Sequence, residues 1–455
     1  MRAIVIGVGQ VGYAIVGALS DEDADVVAID LREKELEQAR ELFDIQTIRG
    51  SGSNPVNLAD AQVHAADMIV AVTDSDEVNM VACRIAAMRA PHAIRVARIR
   101  ERAFLKDRSL LGEEGFQVTH AINPEMVTAE RLTDILDVPF ALDVADVGYG
   151  LKLVGVRVPD SFPQDGQTIA RIRSTVPDLK MLLTTRIRGL DSIVPFGNDD
   201  VRRGDVLYVV IPPAELPALG RLLGHIWRPT RRITIAGGSG IGHMLAQRLE
   251  DSTRTNIKLI ESDSDRANEL AESLSRILVL HGYPTDESLL MEENIRDCDV
   301  FVAALPDEEE NVMAALNAKR LGAHRVIALT NKTGYIPIIE NAGVDAVVSP
   351  RSLAIGTILQ HVRRGRVMSV TPYGQAGKAE IIAFEAQQSS KIVGTPLKDV
   401  HLPPSAIIGI IVHEGVAIIP GGNDIINPGD HVFVFTEKSA IKQLEKLMTV
   451  SLDFF

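Results

Sequence analysis

Gly7-Val8-Gly9-Gln10-Val11-Gly12 is the stretch whose reading decides the fold. It follows a short β-rich run, residues 2–6, and opens a helical stretch that reaches to about Leu19. In this G-x-G-x-x-G setting the glycines have separate duties: the tight turn, close approach of backbone to a pyrophosphate, and close packing of helix on strand. The helix start then presents backbone N–H groups and the positive end of the helix dipole to a phosphate. Asp30 closes the next strand, Val26–Ile29, eighteen residues beyond Gly12. A carboxylate there accepts hydrogen bonds from ribose hydroxyls and repels a 2′-phosphate, which favours NAD or an adenine nucleotide over NADP.

Outward from this stretch, strands alternate with helices. Helix 33–43 has Leu36, Ala39, Leu42 and Phe43 at helical spacing, and strand Ile45–Ile48 follows. A helical region near 55–65, strand Met68–Thr73, helix 77–89 and strand Ile94–Ile99 complete the series. Such alternation implies βαβ units, and strands that are apolar throughout imply a parallel sheet covered on both faces. Ligands of open parallel sheets bind at the carboxyl ends of the strands. The loops expected there are Gly50-Ser51-Gly52-Ser53, Thr73-Asp74-Ser75-Asp76, and Arg98 with Arg100. Thr73 and Asp74 suit contact with ribose or nicotinamide, and the planar donor fork of Arg98 or Arg100 suits a phosphate.

The chain contains this pattern twice. The glycine loop recurs as Gly237-Gly238-Ser239-Gly240-Ile241-Gly242, at an offset of 230. Asp30 matches Glu261, and Asp76-Glu77-Val78-Asn79-Met80 matches Glu308-Glu309-Glu310-Asn311-Val312. Asn123-Pro124-Glu125 matches Ser349-Pro350-Arg351, each a capping side chain followed by proline at the first helical position. Ile193–Asp199 matches Ile418–Asp424, and both copies then reach Gly-Asp, at Gly204-Asp205 and Gly429-Asp430. A unit of about 225 residues is far longer than a solenoid repeat and reads as duplication of a two-domain module. The fold class expected is α/β, as two tandem modules, each a Rossmann-like parallel-sheet lobe plus a small α+β lobe. Expected boundaries are 1–123, 124–226, 227–348 and 349–455, with a turn-rich linker at Gly224–Arg232. The second loop is altered: Ser239 replaces a glycine, Tyr283 enters the third loop, and Ala304-Leu305-Pro306 stands where the first copy has Val72-Thr73-Asp74 chemistry. A second nucleotide site, weaker or of different preference, stays open on this reading.

Composition bounds the function. The 455 residues carry 47 basic and 61 acidic side chains, a formal charge of −14, which argues against an extended nucleic-acid or anionic-lipid footprint. Two cysteines, Cys83 and Cys298, build neither a disulfide framework nor a cysteine metal cluster, and a reducing compartment follows. No apolar run approaches the roughly 20 residues of a membrane helix, so no direct membrane insertion is expected. No Ser-His-Asp, HExxH or P-loop pattern occurs, and the lobes after each nucleotide domain lack the positioned acid or base that a dehydrogenase needs. Cys83 reads as packing, and Asp199, Asp200 and Asp424 read as turn chemistry. No catalytic residue and no metal site is assigned.

At this point the sequence resembles the tandem RCK (KTN) regulatory subunits of bacterial Trk potassium uptake systems, over its whole length. The residues that carry the resemblance are Gly7–Gly12, Asp30, Val70–Cys83, Ala97-Arg98-Ile99-Arg100, Lys258–Glu261, Leu402–Gly409 and the ending Asp453-Phe454-Phe455. The resemblance implies a non-enzymatic, homo-oligomeric regulator, a tetrameric ring, on the cytoplasmic inner face of the cell membrane beside a Trk-type potassium channel subunit. It implies NAD(H) and ATP/ADP as ligands. The first site is then Gly7, Val8, Gly9, Gln10, Val11, Gly12, Asp30, Thr73, Asp74, Arg98 and Arg100, with Arg100 the candidate for reaching the extra charge of a triphosphate. The second is Gly237, Ser239, Gly240, Ile241, Gly242 and Glu261. The helices after Asn123 and Ser349 are expected to be dimer-swapped crossovers. Two other readings stay open: an NAD-dependent oxidoreductase, and an RCK-type regulator of a different ion transporter.

Overall fold

The computed structural model describes residues 1–448 apart from residues 190, 226, 239, 251–254, 362–366 and 375–378. Ser239 and the ending at 453–455 therefore lie outside the described residues. Strand β1 (Arg2–Ile6) is apolar from Ala3 onward because both of its faces are covered. Ile4 and Ile6 join one apolar cluster with Ile29, Leu58 and Met80, while Ala3 and Val5 join the opposite one with Ile15, Val26 and Leu36. Each fully buried branched side chain of this kind contributes about 1.5–3 kcal/mol relative to exposure.

Strand and helix then alternate as the sequence predicts: α1 (Gln10–Asp21), β2 (Asp25–Asp30), α2 (Glu33–Leu42), β3 (Gln46–Arg49), α3 (Pro55–Asp60), β4 (Met68–Ala71), α4 (Asp76–Arg89) and β5 (Ile94–Arg98). Two short helices, α5 (Arg102–Lys106) and α6 (Arg108–Leu111), precede β6 (His120–Ile122) and α7 (Pro124–Asp137). The six strands form a sheet in the order β3-β2-β1-β4-β5-β6, every neighbouring pair parallel. Two details depart from expectation. Strand β4 ends at Ala71, so Val72 and Thr73 belong to the loop. Leu42 is 70% exposed, because α2 stops there and the chain turns extended at Phe43. The apolar stripe closes instead on Phe43, whose ring lies 5.3 Å from that of Tyr13 and over Gly17.

The first small lobe contains β7 (Ala141–Gly148), β8 (Leu151–Arg157), β9 (Gln167–Thr168), α8 (Ile169–Thr175), β10 (Leu182–Arg188), β11 (Asp191–Ile193), β12 (Asp200–Val201), β13 (Val206–Ile211) and α9 (Leu216–Leu223). A second parallel lobe repeats the first: β14 (Arg232–Ala236), α10 (Ile241–Glu250), β15 (Asn256–Glu261), α11 (Ser264–Ser273), β16 (Leu278–His281), α12 (Glu287–Glu292), β17 (Val300–Ala303), α13 (Glu308–Leu321), β18 (Arg325–Leu329), α14 (Ile336–Asn341) and β19 (Ala346–Val348). Its strand order, β16-β15-β14-β17-β18-β19, is that of the first sheet. After α15 (Pro350–Leu359) come β20 (Val367–Tyr373), β21 (Ala379–Glu385), β22 (Ala406–His413), β23 (Val416–Ile418), β24 (His431–Glu437) and α16 (Ile441–Met448). The two five-stranded antiparallel sheets share one core, where Tyr208 meets Tyr373 at 5.1 Å and the Tyr373 hydroxyl bonds Thr185.

The chain condenses into two compact units that cut across the repeat. One is Met1–Val127 with Arg351–Arg363, and the other is Thr128–Pro350 with Arg364–Phe455. In the first unit, Ile358 of α15 enters the core of the first parallel lobe, Arg351 lies over the Tyr13 ring at 5.5 Å, and His361 stacks on His120 at 3.7 Å. In the second, fully buried Arg325 of β18 donates to the carbonyls of Ile135, Val138 and Ala141 at the end of α7 and the start of β7. The expectation of crossovers swapped between chains is thus modified. The exchange is between the two halves of one chain, since duplication supplies both partners in one polypeptide.

Candidate functional site

A cavity of about 700 Å³ opens at the carboxyl ends of β1, β2, β4 and β5. This falls within the roughly 300–1,000 Å³ of small-molecule sites. Gly7 turns out of β1 with φ +88°, and its N–H donates to the Ile29 carbonyl at 2.8 Å. A Cβ on Gly7 would stand 2.8 Å from the Thr73 nitrogen. One on Gly12 would fall on the Gly7 carbonyl, so Gly12 is the packing glycine that lets α1 abut the turn. Gly9 differs: a Cβ there meets nothing nearer than Arg32 Nη2 at 3.6 Å. Its small size serves the cavity and not the packing. Gly9 also starts α1 with no side-chain cap and no acid in the first turn, so no side chain of the helix itself offsets its dipole at the cavity.

Asp30, at the end of β2, is 8% exposed. It accepts the Val8 N–H at 2.6 Å and the Arg32 N–H at 2.8 Å, which locks the glycine loop to the second strand. A carboxylate has about four lone-pair sites, so acceptance of a ribose hydroxyl remains chemically available. Thr73 is held by Asn79, in the first turn of α4. The Asn79 Oδ1 accepts both the Thr73 N–H (2.9 Å) and hydroxyl (2.7 Å), and its Nδ2 donates to the carbonyls of Thr73 and Arg98. Asp76 accepts the N–H groups of Arg100 and Glu101. One helix start therefore fixes both loops that border the cavity.

Of the sequence-predicted residues, Gly7, Gly9, Gln10, Val11, Asp30, Thr73, Asp74 and Arg98 line the cavity. Val8 is buried beneath it, and Gly12 is spent on packing. Arg100 is outside the lining, and its guanidinium donates to the Asp74 carbonyl. Arg32 lines the cavity and was missed, although its place two residues past Asp30, at a strand end, was the available signal. The repeat carries Asn79 with no sign of its role, because a buried asparagine under a loop is invisible until the loop is seen. Cys83 packs in the core, where burial pushes its thiol up to about 12.

The second loop has the same frame. Gly237 has φ +98°, a Cβ on Gly242 would fall on the Gly237 carbonyl, and Glu261 accepts the Gly238 N–H at 2.8 Å. Gly240 has φ +49° and Ile241 starts α10. Here, however, Arg266 reaches over the loop. Its guanidinium donates to the Gly238 carbonyl and bonds His243 Nδ1 at 3.1 Å. Leu305 takes the place of Thr73, bonded to Asn311 through its backbone alone, and Tyr283 is 69% exposed.

Two parallel lobes in this strand order, each opened by a glycine turn and accompanied by an antiparallel small lobe on one chain, define a duplicated dinucleotide-binding type of protein. The TrkA-N domain model matches residues 3–124 and 233–350, and the TrkA-C domain model matches residues 381–449. The chain belongs to the TrkA family. It is similar to the Trk system potassium uptake protein TrkA of Halomonas elongata, 35% identical over 100% of both chains, and to that of Haemophilus influenzae, 34% identical over the same extent. It is also similar to the TrkA homolog 1 of Methanosarcina mazei, 34% identical over 98% of this chain and 99% of that one. Among solved structures it shares the fold of the GsuK RCK domain, with a TM-score of 0.62 at 18% identity over 98% of this chain and 94% of that chain. The GsuK channel bound to NAD gives a TM-score of 0.61 at 17% identity, over 98% and 78% respectively.

Proposed function

We propose that the chain is the nucleotide-sensing regulatory subunit of a Trk-type potassium uptake system, acting as a ring on the cytoplasmic face of the membrane subunit and not as a catalyst. The carrying observation is the cavity over Gly9. It combines an uncapped helix start, a glycine with room above it, and Asp30 at the second strand end. These features suit the pyrophosphate and ribose of NAD(H), ATP or ADP. Names of the relatives, all potassium uptake proteins, support the transport role, and the NAD held by the GsuK channel supports the ligand class. No helix among the described residues is long and apolar enough to cross a membrane. In this reading a nucleotide favours one ring arrangement and shifts its population by its differential affinity for the two arrangements. The second loop, with Arg266 on the Gly238 carbonyl, takes its own ligand with a different preference.

The test is potassium flux through the membrane subunit reconstituted with this chain, across NAD, NADH, ADP and ATP. Flux that depends on the nucleotide, and loses that dependence in Gly9→Val, is expected. Flux that depends on the subunit but is identical with every nucleotide and with none would overturn the sensing role.

A further inference from the structure

Arg98 projects from the end of β5 into the cavity lining, yet its charge is already partly engaged. Its Nη2 donates to Glu125 Oε1 at 2.6 Å, and its Nη1 lies 3.5 Å from Asp74 Oδ1. Glu125 stands outside the lining, behind Arg98, in the first turn of α7. The Arg98 and Glu125 side chains are 13% and 17% exposed, whereas Asp74 is 89% exposed. The pair makes one end-on bond where an arginine and a carboxylate can make two. Arg98 Nε and Glu125 Oε2 are both shielded from solvent and have no hydrogen-bond partner among the described residues. A planar donor fork prefers two parallel bonds, so this pair keeps unspent donor capacity beside a site suited to phosphate.

Resting on the reading of this cavity as a nucleotide site, we infer that Glu125 is a specificity-determining residue that sets how strongly the site responds to the charge of its ligand. Arg98 attracts a phosphate, and Glu125 offsets that attraction and repels additional negative charge. The offset grows with ligand charge, smallest for NAD and largest for ATP. Glu125 is itself held in place. Asn123 caps the helix by accepting the Met126 N–H at 2.8 Å, and its Nδ2 donates to the carbonyls of Ile99 and Arg100, directly beyond Arg98. The Glu125 carboxylate sits in the first turn of α7, at the positive end of the helix dipole. The exposed Asp74 exerts a weaker, solvent-screened effect.

The experiment is calorimetric titration of the full-length chain with NADH, ADP and ATP, for wild type, Glu125→Gln and Glu125→Asp, each at two salt concentrations. Glu125→Gln keeps shape and removes charge. It is expected to raise ATP affinity relative to NADH on the order of tenfold, the size of a typical site-to-site coupling. The gain shrinks at high salt. Glu125→Asp keeps the charge and is expected to hold the ATP-to-NADH ratio near the wild-type value. Equal ratio changes in both variants mean that lost packing is responsible and overturn the inference. An unchanged ratio in Glu125→Gln with nucleotide still bound overturns it as well and leaves the nucleotide reading standing. A wild-type chain that binds none of the three removes that reading and the inference with it.

Discussion

The three glycines of the first loop do different work, and substitution separates them. Gly12→Ala puts a methyl onto the Gly7 carbonyl. Overpacking of this kind costs about 1–3 kcal/mol or more, and a fall in thermal midpoint with less folded chain is expected. Gly9→Ala has room for its methyl, so the midpoint should stay within about 0.5 kcal/mol of wild type while nucleotide affinity falls, because the methyl occupies the line of approach to the α1 backbone. Differential scanning fluorimetry with and without NADH distinguishes the two. A second pair of matched residues separates the small lobes. Buried Asp205 accepts two bonds from Arg188, at 2.7 and 2.8 Å, while its counterpart Asp430 bonds His413 at 2.6 Å. The bond to Asp430 holds the His413 imidazole above its ordinary value of about 6.5. The stability it contributes is present in full below about pH 6.5 and is lost as pH rises through the raised folded value. His413→Arg copies the first lobe and should flatten that slope in urea titrations between pH 6 and 9.

Helix α7 is fastened at both ends, at its start by the capping asparagine that the repeat marks and at its end by an arginine that the repeat does not single out. Asn123 caps its start and ties it to the end of β5, and Asn123→Ala should cost about 2 kcal/mol in urea unfolding. At the other end, Arg325 gathers three carbonyls, and full burial lowers its guanidinium to about 10. A buried cation is costly, yet its removal leaves helix-end carbonyls unpaired; the second effect wins when no water enters. Arg325→Leu is accordingly expected to destabilise by about 1–3 kcal/mol. In the first unit, the stacked His120 and His361 are both buried enough to resist protonation, His361 down to about 4. Their contribution has the opposite sign to that of His413. It is present above about pH 6.5 and lost as pH falls toward 4, because the unfolded chain takes up the proton first.

For the whole molecule, the exchange of segments between sequence halves makes distant residues part of the first lobe. Ile358 is 1% exposed in that lobe's core, more than 200 residues along the chain from Ile122 in the same cluster. Ile358→Ala should cost about 2–5 kcal/mol. Hydrogen exchange should show the loss in residues 1–127, and confinement of the change to residues 128–348 would contradict the compact units described.

Much of the frame was legible without coordinates. The period of apolar runs, the glycine loop and the duplication specify two parallel lobes and two small ones, because those signals depend only on local geometry and on burial of both strand faces. The repeat also located Asp30 and Glu261 at strand ends, and the strand pattern placed Arg98 at another and Thr73 close to a third. It could not show that Arg100 turns away to the Asp74 carbonyl, that Arg32 enters the lining, or that Arg266 covers the second loop, since side-chain direction depends on neighbours from other elements. Nor could it show that α15 enters the first lobe. Two halves alike in pattern offer each helix two equivalent docking faces, and only the packed chain selects between them.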